Sequence, residues 1–158
     1  MELLMLVLQT LVVLLLVVIS VQNYLLIKGS KLAFSYSSRF DESQLDKYYR
    51  TIQKYLETKD VEITDEELQL INTTEELLYS LNMVFNCFED ISSAYNGGFL
   101  DKKYAFIAFS EPIFYVYKRY KKRIDFVRKE SGDLSLINQL EKAFYVMNRE
   151  KEKEIRRR

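Results

Sequence analysis

Two stretches of the chain concentrate side-chain chemistry. The first is the acidic pair Glu89-Asp90. Glu89 follows Phe88 and lies two residues before Ile91, so it borders an apolar helical stripe. A carboxylate there can be partly buried, which raises its pKa and suits it to proton transfer. The structural alternative is a Glu bonded to a neighbouring helix, through a Tyr hydroxyl or an Arg. Composition narrows the choice. The chain has no His, one Cys and only four Gly. Imidazole acid–base chemistry, Ser-His-Asp and Cys-His arrangements and His-containing metal sites are therefore excluded. A helical carboxylate-bridged metal site normally needs Glu-x-x-His, and Gly97-Gly98 is no phosphate loop. No catalytic, cofactor-binding or metal-ligating residue is assigned, no cofactor is expected, and the chain is not expected to be an enzyme.

The second stretch is cationic and aromatic. Lys118, Arg119, Lys121, Lys122 and Arg123 lie together, with Arg128 and Lys129 beyond and Arg156, Arg157 and Arg158 at the end. Near an anionic leaflet each such residue contributes about 1 kcal/mol, so this cluster is a candidate lipid contact. Just before it, residues 113–117 are apolar on every side of a helix. Such a segment is buried all round or sits in an interface. Phe114 and Tyr115 are thus candidates for self-association or partner docking, with some rings expected to stay exposed. Tyr115, Tyr117 and Tyr120 interleave with Lys118 and Arg119, the pattern that stacks bases and neutralises phosphates. No recognition motif accompanies it, and nucleic acid is not the expected partner.

The overall balance of 23 basic against 23 acidic residues hides a division. Residues 1–39 carry +2, residues 40–98 carry −9 and residues 99–158 carry +7. The plain reading pairs acidic helices with basic ones, at under about 1 kcal/mol per exposed pair.

The elements that must position these residues follow from hydropathy. Residues 3–27 are apolar but for Gln9, Thr10, Ser20, Gln22 and Asn23. As a helix they reach about 37 Å, enough to span a hydrocarbon core with tilt. A cleaved leader fits less well, because Met1-Glu2 offers no basic start. Lys28, Lys31 and Arg39 follow the span, which directs the N-terminus outside and the rest into the cytoplasm. The expected organisation is an anchor over 1–28, a Ser-rich linker over 29–40, a helical bundle over 41–148 and a charged tail over 149–158. The location is the inner membrane, crossed once.

Beyond the linker, apolar residues recur at helical spacing. Leu45, Tyr48, Tyr49, Ile52, Tyr55 and Leu56 mark a helix of about 41–58. Thr64 with Glu67 and Thr73 with Glu76 read as capping boxes. They open either one long helix of about 65–96 or a short helix run into a long one. Gly97 ends it in the left-handed conformation. Asp101 caps a short helix of about 102–109, and Pro112 starts a fresh one of about 111–130. Gly132 stops that helix. A last helix from about 134 buries Leu134, Ile137, Leu140, Phe144 and Met147. The fold class is all-α: one transmembrane helix followed by an antiparallel bundle.

Residues 81–124 carry an Asn, an aromatic and a Glu in close order (Asn86, Phe88, Glu89), then Ile91, Gly97 or Gly98, Asp101 and an aromatic run over 104–120. This pattern resembles a bacterial family of unknown function, whose members are small helical proteins that often have one N-terminal span. The resemblance implies an anchored helical domain and Asn86 and Glu89 as a structural or binding pair. The functional expectation is an adaptor or scaffold that binds a protein partner or a second copy, with anionic lipid as a further contact. The alternative is a membrane-perturbing effector or sensor in bacterial stress or phage defence.

Overall fold

The computed structural model describes residues 16, 18–22 and 42–157. The described residues form helices joined by turns and short irregular segments, with no strand among them. Five helices follow residue 41: α1 (Glu42–Tyr55), α2 (Asp65–Thr73), α3 (Glu75–Asn96), α4 (Lys102–Ser131) and α5 (Asn138–Arg157). Among the described residues no helix is long and apolar enough to cross a membrane. The span expected over 3–27 lies outside them except at 16 and 18–22.

The helical spacing of α1 buries Ile52, with Leu56 just beyond its end, and half-buries Leu45, Tyr48 and Tyr49. The box at Thr64 forms as expected. Its hydroxyl accepts from the Glu67 amide at 3.2 Å, and the Thr64 amide donates to Glu67 Oε2 at 2.9 Å. The second box does not form. The Thr73 hydroxyl turns back to donate to Gln69 O at 2.9 Å, and Thr74 caps α3 without a side-chain bond. A hydroxyl spent on its own helix cannot serve the next one. Thr74 is extended (φ −106°, ψ 103°), so a short helix runs into a long one.

At the end of α3, Gly97 is right-handed (φ −74°) and Gly98 takes the left-handed position (φ 73°). The expectation for Gly97 is thereby displaced by one residue. Asp101 then caps α4, accepting from the Tyr104 amide at 2.8 Å. Contrary to the sequence reading, Pro112 does not divide this segment: helical geometry runs through it, and the one break within the 30 residues of α4 lies further on. Proline removes one helical bond and costs about 3 kcal/mol. The next turn buries Ile113, Phe114, Val116 and Tyr117, each contributing about 1.5–3 kcal/mol. Burial outweighs the break, with Pro112 itself on the exposed side. The backbone departs from helical geometry at Tyr120 instead (φ −108°, ψ 17°).

Gly132 ends α4 in the left-handed region (φ 69°). The last helix starts at Asn138, later than its apolar pattern implies. Asp133 Oδ1 accepts from the Ser135 amide at 2.8 Å, holding a turn, and Ile137 is left-handed (φ 57°). Leu134 is consequently 78 % exposed rather than buried. Leu140 and Met147 are buried, and Ile137 and Phe144 pack partly against the core.

Helix α3 lies at the centre of the bundle. α1 runs antiparallel along it, with Tyr55 near Glu76 and Tyr48 edge-on to Tyr79. α4 and α5 form an antiparallel hairpin. Arg128 reaches Leu136 and Glu141 at one end, and Lys151 reaches Glu111 further along. Leu77, Leu81, Val84, Ile91, Ile113, Ile124 and Met147 are fully enclosed between these helices.

Candidate functional site

The α1 and α4 flanks of the central helix leave a groove of about 550 Å³ between them. Leu45, Tyr49, Ile52 and Leu56 line it from α1 and the residue after it, Pro112, Tyr115 and Tyr120 from α4, and Phe88 from α3. Its polar edge is acidic: Glu57, Asp60 and Glu111. Burial pushes the Tyr49 and Tyr120 phenols well above the usual range, so both remain neutral. The groove therefore offers an apolar floor with hydroxyl tips and a negative rim. Its residues are suited to holding a molecule, and no acid–base pair stands in it. Among the described residues, no three Cys, Asp or Glu side chains converge as a metal-ligand set.

Tyr115 lies in this groove, half-buried and edge-on to Tyr120 at 6.5 Å. Phe114 is elsewhere. It is 5 % exposed and packs edge-on to Phe144 at 5.6 Å. Of the rings in 113–117, some of which were expected to stay exposed, Phe114 is covered by α5.

The cationic cluster beside them is divided by the helix. Arg119 is only 1 % exposed. Its guanidinium donates to Val61 O at 2.9 Å, Glu57 O at 3.2 Å and Glu67 Oε1 at 2.6 Å. Its carbonyl accepts from the Ile63 amide at 3.0 Å. That carbonyl is available because the next residue, Tyr120, leaves helical geometry. One residue thus clamps the whole α1–α2 connection through main chain and side chain. Glu67 joins this clamp to the capping box. Burial pushes its carboxyl up, but Arg119 and the Thr64 amide outweigh burial and hold it below the usual carboxylate range.

Arg123 is also buried, bonded to Asn72 Oδ1 and stacked 5.4 Å from the Phe126 ring centre. Burial pulls its guanidinium below the usual arginine range. Lys121 pairs with Asp125, and Lys122 with Asp65 at 2.8 Å. Lys118 is exposed, with its ammonium 5.9 Å from the Phe144 ring centre. Of the expected lipid contacts, Arg119 and Arg123 are therefore turned into the bundle. Lys122 joins the acidic first half to the basic second, as Arg119 does with Glu67.

Glu89 has a structural partner that sequence reasoning missed. Its two oxygens accept from the Gln139 amide at 2.9 Å and the Leu140 amide at 2.7 Å. Those amides belong to the first turn of α5 and have no partner within that helix. Ile137, which precedes the helix, offers no acceptor side chain, so Glu89 supplies the cap from α3. Asn96 assists, donating to Gln139 O at 2.9 Å and Gln139 Oε1 at 3.0 Å. Asn86 is exposed one turn before Glu89, and no hydrogen bond joins the two. A second polar station lies along the α4–α5 hairpin. Tyr117 donates to Glu141 Oε1 at 2.5 Å, and Arg128 meets Glu141 Oε2 at 2.8 Å. Neither station was legible beforehand, because both join residues far apart in sequence.

No curated protein and no solved structure matches the chain. Residues 6–145 match the profile of a domain of unknown function, DUF4760, in agreement with the resemblance carried by residues 81–124. That match covers most of the chain and its whole groove, and the protein belongs to the DUF4760 family.

Proposed function

We propose that this protein is a membrane-anchored recognition module, an adaptor or scaffold whose bundle faces the cytoplasm and binds a protein partner in the α1–α4 groove. The observation that carries this reading is the groove itself. A volume of about 550 Å³ with an apolar floor and an acidic rim suits a ligand with complementary apolar and basic faces. A basic amphipathic helix has both, with its apolar stripe on Leu45, Ile52, Phe88 and Tyr115 and its cations toward Glu57, Asp60 and Glu111. The anchor rests on the apolar run over 3–27, and the orientation on Lys28, Lys31 and Arg39.

The test is site-specific photo-crosslinking of the full chain in its own membrane. A photoreactive phenylalanine replaces Tyr115 in one variant and Lys129 in another. Adducts to a protein should form at 115, not at 129, and should disappear in the Asp60→Lys, Glu111→Lys double variant. Adducts of the same kind at both positions, or none at 115, would sink the reading. The same membranes washed at high pH test the anchor: the chain should stay in the pellet.

A further inference from the structure

The basic charge of the second half is not spent evenly. Within 118–123 most of it is buried or paired, as described above. At the opposite end of the α4–α5 hairpin it is not. There a cavity of about 370 Å³ opens between the start of α4 and the end of α5, floored by Tyr95, Phe106 and Val146. Lys102, Lys103, Lys153 and Arg157 surround it, against Glu150 and Glu154. Glu150 is engaged by Lys153 at 2.8 Å, and Lys153, Arg157 and Lys102 together hold its carboxyl below the usual range. Lys102, Lys103 and Arg157 then face a single further carboxylate, Glu154.

We propose that this cavity binds a phosphate-bearing group attached to an apolar body, the chemistry of an anionic lipid headgroup or of a soluble phosphate ester. Three cations from two helices converge on a space large enough for a headgroup. The planar fork of Arg157 and the point charges of Lys102 and Lys103 suit the oxygens of a phosphate. The half-buried Phe106 ring and Val146 provide the apolar wall that a bare anion would not need. The site shares no residue with the α1–α4 groove and stands independently of it.

The test is a lysine footprint of the full chain in neutral maltoside micelles, read by mass spectrometry after acetylation. Three conditions are compared: micelles alone, micelles with phosphatidic acid, and micelles with inorganic phosphate. Acetylation at Lys102 and Lys103 should slow about fivefold, the effect of roughly 1 kcal/mol per cation. The exposed controls Lys47 and Lys142 should not change. Slowing with phosphatidic acid alone identifies a lipid as the source, and slowing with both identifies the phosphate as sufficient. Arg157→Glu, at an exposed position, should remove the protection while the circular dichroism of the chain stays unchanged. No slowing in either condition, equal slowing at Lys142, or protection unchanged in Arg157→Glu would overturn the proposal.

Discussion

Replacing Arg119 tests how much of the bundle depends on one buried cation. In Arg119→Ala the Val61 and Glu57 carbonyls lose their guanidinium donor, and Glu67 loses the ion pair at 2.6 Å. A hydrogen bond to a charged group is worth about 1.5–3 kcal/mol, and breaking a buried ion pair costs about 3–5 kcal/mol. Glu67 keeps some access to water, with its side chain 20 % exposed, and it retains the Thr64 amide. The expected loss is therefore about 3–4 kcal/mol, a large part of the roughly 5–15 kcal/mol that holds a domain of this size together. Urea unfolding followed by circular dichroism measures it. A double-mutant cycle with Glu67→Gln should assign about 1–3 kcal/mol of this to the pair. The pH dependence carries the same sign. A carboxyl held below its unfolded value contributes stability that is complete above about pH 4.3 and fades as pH falls through the folded value. Arg119→Ala should flatten that acid limb. A loss below about 1 kcal/mol, or an unaltered acid limb, would refute the clamp.

Three further outcomes follow from the geometry. Glu89→Ala should cost about 1–2 kcal/mol, as lost helix caps do, and should speed hydrogen exchange at Gln139 and Leu140 selectively. Uniform acceleration across α5 would instead indicate general loosening. Pro112→Ala restores a helical donor at an exposed site and should raise stability by about 1–3 kcal/mol in thermal melts. A fall would show that the ring's place in the groove wall matters more. Burial, assisted by Asp90, pushes the Cys87 thiol up to about 11. Iodoacetamide at neutral pH should therefore label it slowly in the native chain and quickly in urea.

The helices were legible from spacing. Ile52, Leu56, Leu77, Leu81, Val84 and Ile91 occupy the faces that their periodicity assigns. Local rules failed where a tertiary effect was larger. Pro112 was overruled by the burial that follows it, and Thr74 lost its cap because the adjacent hydroxyl had a nearer acceptor. The groove was legible only in part. Tyr115 stood out as an aromatic in an apolar turn, but the acidic rim comes from two segments, the α1–α2 connection and α4, that only folding brings together. The burial of Arg123 left a signal. In an unbroken helix it would share the face of Val116, seven residues earlier, and it is buried despite the break at Tyr120. A run of five cations drew attention to its charge, whereas its helical register was the better guide.

The grip of Glu89 on the start of α5 has a consequence for how the family can vary. Its partners are main-chain amides, which every residue except proline carries. Gln139 and Leu140 can therefore change identity without disturbing that bond, whereas Glu89 has few substitutes of equal reach and charge. Such a contact leaves no paired substitutions for covariation to detect. Among relatives, position 89 should stay acidic while its apparent partners drift, with proline missing at both. A carboxylate that stays fixed for this reason is easily taken for a catalytic one, whereas the contacts of Glu89 hold the start of a helix.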